Sequence, residues 1–278
     1  RLVGSEMCIR DSERTIAGRI EKNSTEIPIH LDKAKKFEKI WIVACGTAYH
    51  AGLFGKDLFE KVLGVPVSVE LASEFRYREP IIGKNDLAIV ISQSGETMDT
   101  IAATELLKEN GSHVLALVNV VGSSLARMAD SVFYLHVGPE IGVASTKAYL
   151  GMLVGQLLLA KHWDSNNKLD TSLEEIKALP SLIEEALKCE DQVKQISKLI
   201  YKKKDIYFIG RGLDYALAAE GALKLKEISY LHAEALAAGE LKHGTLALIE
   251  EGTPVIVTAS QRHLLDKTTS LSLIHISE

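Results

Sequence analysis

The feature that most constrains the fold of this chain is an internal repeat at a constant spacing of 166 residues. Matching positions, first copy before second, are Ile40 and Ile206, Gly46 and Gly212, Tyr49 and Tyr215, 72–75 and 238–241, and 89–92 and 255–258. One apolar block could match by chance. Three separate blocks in one ungapped register predict two copies of a single domain. The second copy stops just past its third predicted strand, so we expect it to be incomplete.

Short apolar segments alternate with longer segments of helical periodicity in the first copy. The predicted strands cover residues 40–44, 67–71, 87–92, 113–119 and 132–136. The predicted helices cover residues 47–63, 97–110 and 145–162. The strands are rich in β-branched residues and show little alternation, which is typical of strands covered on both faces. The sequence therefore predicts a parallel α/β sheet that binds ligands beyond the carboxyl ends of its strands.

An amphipathic stretch at 173–200, with a predicted break at Pro180, separates the two copies. It is predicted to be a helical connector. The resulting organisation is a lead-in at 13–38, a first domain at 39–165, the connector at 166–200 and a second domain at 201–269.

The loop of residues 92–97, with the sequence SQSGET, is the strongest candidate for a binding site. It follows an apolar strand and opens a helix. Hydroxyl groups and free backbone N–H groups at a helix N-terminus form a cradle for an anion, and the helix dipole adds partial positive charge. Ordinary Ser/Thr capping is the alternative interpretation. Further polar segments with glycine, at 45–47 and 142–146, would add hydroxyls and amides for a polyol phosphate.

Composition and charge exclude several classes of function. The net charge of −5 and the interspersed signs give no indication of a nucleic-acid or membrane partner. No apolar run reaches the length of a membrane span. Of three cysteines, Cys45 and Cys189 lie outside the chain ends, and their spacing suits neither a metal site nor a disulfide framework. We therefore expect a cytoplasmic protein with no metal and no cofactor.

Both ends of the chain resemble translated sequencing adapters. Residues 6–12 and 271–278 can be encoded by DNA strings that are reverse complements of each other. Residues 1–12 and 270–278 are accordingly set aside in the prediction of the fold. We expect the chain to be an internal fragment of a longer protein.

Several longer motifs occur together along the chain. They are CGT at 45–47, ELASEFRY at 70–77, SQSGET at 92–97, EIGVASTKA at 140–148, GRG at 210–212, EGALKLKEISY at 220–230, HAEA at 232–235 and GELKHG at 239–244. In combination they resemble the isomerase part of the glutamine–fructose-6-phosphate aminotransferases over nearly all of residues 13–267. The resemblance implies two tandem sugar isomerase (SIS) domains of flavodoxin-like type. These are three-layer α/β/α folds with a parallel sheet, the second being truncated here.

The resemblance also implies an activity and its partners. The family makes glucosamine 6-phosphate from fructose 6-phosphate with ammonia from glutamine, and its members are expected to be homodimers. The glutaminase domain of the family would precede this chain. A tail whose lysine forms a Schiff base with the sugar would follow it. Neither segment is part of the sequence, so we expect this fragment to bind sugar phosphate weakly and to make no glucosamine 6-phosphate by itself.

Individual site residues follow from the same resemblance. The phosphate loop of the family matches Ser92, Gln93, Ser94 and Thr97. Its sugar-contacting positions match Cys45, Gly46, Thr47, Val143 and Ser145. Its catalytic positions match Glu227 as the acid/base between C1 and C2, Lys224 beside it, and His243 as the ring-opening histidine that reaches the neighbouring subunit. Two departures are Ala48, where many relatives have serine, and Thr245, where relatives have proline.

The chemistry of isomerisation is compatible with these roles. It needs a carboxylate-type base over C1 and C2 and a group that spreads the developing charge. Lys224 and Glu227 are three residues apart on a predicted helix, so both can face one pocket. Without the resemblance, a surface ion pair would explain them better. His243 could equally be a helix C-terminal residue beside Gly244. Cys45 is treated as a loop contact because no base lies next to it in sequence.

Two other functions remain open at this stage. The chain could be a stand-alone SIS sugar-phosphate isomerase or deaminase. It could also be a sugar-phosphate-sensing regulatory module, which would keep the 92–97 loop but would not need the base Glu227.

Overall fold

The structure is a computed structural model that describes residues 5–21, 24–29, 31, 36–140, 142 and 144–275. The chain divides into two units after Leu187, and residues 142 and 144 group with the second unit. The strands of the first unit are β1 (Ile20–Glu21), β2 (Ser24–Thr25), β3 (Ile40–Ala44), β4 (Val67–Leu71), β5 (Leu87–Ser92), β6 (His113–Val118) and β7 (Ser131–Tyr134). Its helices are α1 (Ser5–Ile16), α2 (Gly46–Leu63), α3 (Ala72–Phe75), α4 (Met98–Glu109), α5 (Ser124–Met128), α6 (Lys147–Trp163) and α7 (Leu173–Ala186).

The main sheet of the first unit has the strand order β4-β3-β5-β6-β7, and all its neighbouring strands are parallel. This is the flavodoxin-like order, in which the chain runs outward from β3 in one direction and then returns to build the other side. The strand order therefore reverses between β3 and β5. The loops that follow these two strands, 45–47 and 92–97, meet at the edge where doubly wound sheets bind ligands.

The central strands are buried on both faces because alternate side chains enter two separate cores. Ile40 and Ile42 of β3 pack in one core with α2, α6 and α7, whereas Trp41 and Val43 pack in the other with α3, α4 and α5. Every residue of β3 and β5 is buried. Such strands show no polar alternation, so the prediction of a parallel sheet between two helical layers is confirmed.

The second unit repeats this plan with a smaller sheet. Its strands are β8 (Asp205–Gly210), β9 (His232–Ala237) and β10 (Val255–Val257). They are parallel in the order β10-β8-β9, which matches the first three strands of the first unit. Its α-helices are α8 (Glu190–Ile200), α9 (Leu213–Ser229) and α10 (Leu265–His275), and its short 3₁₀-helices are Ala238–His243, Thr245–Leu248 and Arg262–Leu264. A further 3₁₀-helix, Leu187–Cys189, includes the point at which the chain passes from the first unit to the second.

The two copies share a glycine with positive φ at the turn after their first strand. Gly46 and Gly212 both have left-handed φ angles, 54° and 53°. The constant spacing of 166 residues does not hold at the third strand, however. Val43 pairs with Val90, whereas Ile209, 166 residues after Val43, pairs with Val257, which lies 167 residues after Val90. The ungapped register predicted from the sequence is therefore wrong by one residue at β10, where apolar side chains tolerate either alignment.

The predicted break at Pro180 is also wrong. Helix α7 begins with a Ser172/Glu175 capping box and continues through Pro180 to Ala186, and the interruption falls at Leu187–Cys189. Proline removes a single amide donor from the helix. Its ring is buried in the first unit, and this packing offsets the lost hydrogen bond.

The segment set aside as adapter-like is helical in the structure. Residues 6–12 lie within α1, where Asp11 and Ser12 are each only 1% exposed. Asp11 accepts a hydrogen bond from the Gly138 amide at 3.0 Å. These residues therefore contribute to the packing of the first unit, which the prediction of the fold did not include. No helix in the described part of the chain combines the length and the apolar character needed to cross a bilayer.

Candidate functional site

A cavity of about 220 Å³ opens at the carboxyl ends of β3 and β5. Most of the side chains predicted to bind ligand line it, although they come from three separate segments. The lining residues are Cys45, Thr47, Ala48, Ile91, Ser92, Gln93, Ser94, Thr97, Ser145 and Met152. The topology brings these segments together because parallel strands end at the same edge of the sheet.

The 92–97 loop is organised by its own hydroxyl groups. Ser92 is 3% exposed, and its Oγ accepts the Gly95 amide at 3.0 Å and lies 3.0 Å from Thr97 Oγ1. The Glu96 amide donates to Ser94 Oγ at 3.1 Å. Thr97 is the N-cap of α4, but its side chain makes no capping hydrogen bond. The amides of the first turn of α4 are thus not capped by that side chain, as an anion site requires.

The same loop is fixed from outside by the segment that follows β6. The Leu125 amide donates to Gly95 O at 3.1 Å, and the Ser124 amide donates to Glu96 Oε1 at 2.8 Å. These contacts hold the Glu96 carboxylate at the N-terminus of α5. Hydrogen bonds from the Ser124 side chain and amide lower the pKa of Glu96, so this carboxylate stays ionised at neutral pH.

The 45–47 turn supplies the second wall of the cavity. Cys45 is the extended N-cap of α2, and its Sγ lies 3.9 Å from Thr100 Oγ1. Gly46 has φ +54°, and a Cβ at this position would meet no atom within 4 Å. The left-handed backbone, rather than crowding, therefore favours glycine here. Gly46 itself does not line the cavity, whereas its neighbours Cys45 and Thr47 do.

Ser145 lines the cavity from the N-terminal end of α6, and the sequence alone did not identify the residue that orients it. Ser145 Oγ donates to Glu140 Oε2 at 2.8 Å, and the Thr146 amide donates to Glu140 Oε1 at 2.6 Å. Glu140 thus closes the loop between β7 and α6 with both carboxylate oxygens. Val143, the other predicted contact in this loop, lies outside the described residues.

The hydrogen bonds give Ser94 and Ser145 opposite roles. Ser94 Oγ already accepts an amide proton, so its hydroxyl proton is available to a ligand. The Ser145 hydroxyl donates its proton to the Glu140 carboxylate, so its Oγ can accept a hydrogen bond from a ligand. One part of the cavity can therefore donate to an anion, and another can accept from a sugar hydroxyl.

In the second unit, Lys224 lies between two carboxylates on α9. Lys224 Nζ is 2.5 Å from Glu227 Oε2 and 3.4 Å from Glu220 Oε1. The Glu220 side chain is only 5% exposed and that of Lys224 16%, compared with 29% for Glu227. The pair is thus largely buried, unlike the surface ion pair that was the alternative interpretation. Glu220 is a member of this group that the sequence analysis did not single out, although its i, i+4 spacing from Lys224 could have indicated it.

His243 is the last residue of the 3₁₀-helix Ala238–His243 and is exposed. Gly244 follows it with φ +122°. Among the contacts of the described residues, none joins His243 to Lys224 or Glu227. The structure therefore brings Lys224 and Glu227 together but does not place His243 against them. The described residues also contain no cluster of His, Cys, Asp and Glu side chains that could hold a metal ion.

The family model of the SIS domain matches residues 33–161 and 199–275 of this chain. The chain belongs to the SIS domain family. Two curated relatives of this SIS protein are glutamine–fructose-6-phosphate aminotransferases. That of Clostridium tetani is 53% identical over 88% of the chain, and that of Clostridium acetobutylicum is 52% identical over 94% of it. The chain spans 41% and 44% of the length of these relatives.

A solved structure supports the same assignment at the level of the fold. The C-terminal domain of glucosamine-fructose-6-phosphate aminotransferase from Francisella tularensis superposes with a TM-score of 0.88 and is 37% identical. The match covers 98% of this chain and 80% of that one. The SIS chain therefore corresponds to the isomerase part of these enzymes, as its motifs predicted.

Proposed function

We propose that this SIS chain is the sugar-phosphate-binding isomerase part of a glutamine–fructose-6-phosphate aminotransferase. Such an enzyme converts fructose 6-phosphate and glutamine-derived ammonia to glucosamine 6-phosphate. The observation that carries the proposal is the cavity itself, in which the 92–97 loop, the 45–47 turn and Ser145 face one space. The similarity to aminotransferases of this name over most of the chain supports the same substrate.

The phosphate is proposed to bind at the 92–97 loop. Ser94 and Thr97 would donate hydroxyl protons to it, with Ser92 and Gln93 completing the cradle and the dipole of α4 favouring negative charge. Glu96 does not oppose the anion because α5 holds its carboxylate at a different helix end. Neutral hydroxyl and amide donors suit a small phosphate monoester. A site with positively charged side chains would also bind larger polyanions.

The sugar chain is proposed to lie along Cys45, Gly46, Thr47, Val143 and Ser145. Its proton transfer between C1 and C2 is assigned to Glu227, with Lys224 stabilising the developing negative charge. Glu220 would hold the Lys224 ammonium in place through their ion pair. His243 is the proposed ring-opening group, and its exposed position is compatible with a role in a neighbouring subunit's site. The proposal also includes a glutaminase domain that precedes this chain, assembly as a homodimer and a location in the cytoplasm.

Replacing Ser94 by alanine tests the phosphate site directly. We expect the affinity for fructose 6-phosphate and for inorganic phosphate to fall about ten- to hundredfold, since a hydrogen bond to a charged group is lost. Isothermal titration calorimetry on both proteins measures this. Ser197→Ala, which changes an exposed hydroxyl on α8, is the matched control. If the folded wild-type chain bound neither ligand, or if Ser94→Ala bound both as tightly as the control, the proposal would be refuted.

Glu140→Ala separates the sugar contact from the phosphate contact. Without the carboxylate, Ser145 loses its orientation and its role as acceptor. We expect the affinity for fructose 6-phosphate to fall about tenfold. Inorganic phosphate, which needs only the 92–97 loop, should bind within about twofold of wild type. Calorimetry with each ligand measures the two effects, and Glu140→Gln should recover part of the loss. An equal loss for both ligands would show that Glu140 supports the whole cavity and not the sugar contact.

A further inference from the structure

The second copy of the domain carries a carboxylate where the first copy has an open cavity wall. Ala48 lines the cavity of the first unit. The residue 166 positions later is Asp214, which is 2% exposed and lies in the first turn of α9. The two turns can be compared at this point because Gly46 and Gly212 both have a positive φ, 54° and 53°. Asp214 therefore projects from the turn that corresponds to the wall of the first cavity.

The Asp214 carboxylate accepts hydrogen bonds from the loop that follows β10. It accepts hydrogen bonds from the Ser260 amide at 3.0 Å, Ser260 Oγ at 2.5 Å and the Gln261 amide at 3.3 Å. The Gln261 side-chain amide lies 3.4 Å from the same carboxylate. Backbone amides and a serine hydroxyl after the third strand are the kind of donor that the first unit offers to an anion in its 92–97 loop.

Other sequence differences between the two copies agree with a carboxylate bound to the loop after β10. At the spacing of 166 residues Leu213 replaces Thr47, which removes a hydroxyl. After β10, where strand pairing sets the spacing at 167, Arg262 stands at the position of Gly95. Gly95 has φ +67°, which the tight turn of the first loop needs. The second loop is thus built around a carboxylate of its own chain, which also benefits from the positive end of the α9 dipole.

We infer that Asp214 acts as an internal anion that fills the phosphate position of the second SIS copy, so that only the first copy binds sugar phosphate. The equivalence rests on the proposed phosphate site of the first unit. A phosphate monoester is excluded from the second copy in two ways. The donors it needs are already satisfied, and the buried carboxylate repels its charge.

The test is to remove the internal anion and supply an external one. In a Ser94→Ala background, which weakens the first site, Asp214→Ala should create a new site for inorganic phosphate. Asp214→Asn keeps the side-chain volume and should remain closed. We expect the double variant with Ala to bind phosphate at one site, at least about tenfold more tightly than the variant with Asn. The Ser260 and Gln261 amide signals in NMR spectra should shift on binding.

Each result decides the inference. It is overturned if the folded Ala variant binds phosphate no better than the Asn variant. It is also overturned if phosphate shifts the Ser260 and Gln261 amides while Asp214 is intact. Should the Ala variant be unfolded, about 100 mM phosphate must restore its second unit by mass action, and failure to do so refutes the inference. A wild-type chain that binds no phosphate at the 92–97 loop would refute the proposed function instead, because the Asp214 variants report on the other loop.

Discussion

Gly95→Ala is expected to abolish measurable sugar-phosphate binding and to lower the free energy of unfolding of the first unit by about 3 kcal/mol. Gly95 has φ +67°, a conformation that costs a residue with a Cβ about 1 kcal/mol. The new Cβ would lie 2.1 Å from Ser123 Oγ and 2.6 Å from Ser123 Cβ. Ser123 is only 2% exposed, so it cannot turn away into solvent. The 92–97 loop must therefore move, and its hydroxyl groups lose the positions from which they are proposed to bind phosphate.

Gly122→Ala is the matched control for this prediction. Gly122 has a similar φ of +72°, but a Cβ there would meet nothing within 4 Å. It should show the backbone penalty alone, about 1 kcal/mol, and bind fructose 6-phosphate as wild type does. Urea denaturation followed by a probe in the first unit measures the stabilities, and calorimetry measures the binding. Equal effects of the two substitutions would mean that contact with Ser123 does not position the loop.

Gly210→Ala is expected to unfold the second unit, with a loss of more than about 4 kcal/mol. Gly210 ends β8, and its added Cβ would lie 2.4 Å from both the carbonyl carbon and the oxygen of Asp214. Thr258 Oγ1 would be 2.7 Å away. A backbone carbonyl in the first turn of α9 cannot rotate aside like a side chain, so the start of the helix must separate from the strand.

Amide hydrogen exchange resolved by residue measures this effect, because a chain with two units need not unfold in one step. Protection should be lost in β8, β9 and α9 and kept in β3 and β5. Gly239→Ala is the control: its nearest new contact is the end of the Arg211 side chain at 3.3 Å, which can shift. Protection that survives in β8 of Gly210→Ala would contradict the prediction.

The strands of the first unit could be predicted closely because their apolar content is a local property of the sequence. Predicted and observed limits coincide for β3, β4 and β5. The last predicted strand, 132–136, instead ends at Tyr134. His136, the last residue of the predicted strand, has φ +59°, which is not an extended conformation. No pattern of hydrophobic residues encodes such a turn, since it depends on the contacts that the chain makes after β7.

Helix continuity and register depended on contacts between distant parts of the chain. Pro180 would interrupt an isolated helix, but burial of its ring lets α7 continue. The sequence alignment of β10 with β5 could be shifted by one residue, because both strands are apolar and match equally well at either spacing. Only its pairing with β8 selects one. These features were decided by packing, which sums over residues far apart in sequence.

For the candidate site, local patterns in the sequence by itself predicted two segments, the hydroxyl-rich 92–97 loop and the 45–47 turn, whereas the Lys224 and Glu227 pair was predicted only through the family resemblance. Local patterns suffice for the two loops because strand ends and helix starts are encoded nearby. The tertiary structure alone decided how the polar groups are shared. Glu140 accepts the hydroxyl proton of Ser145, Glu96 accepts a hydrogen bond from the Ser124 amide, and Asp214 accepts one from the Ser260 hydroxyl. The physical reason is that a hydrogen bond depends on the distance and direction between groups, which folding sets and sequence spacing does not.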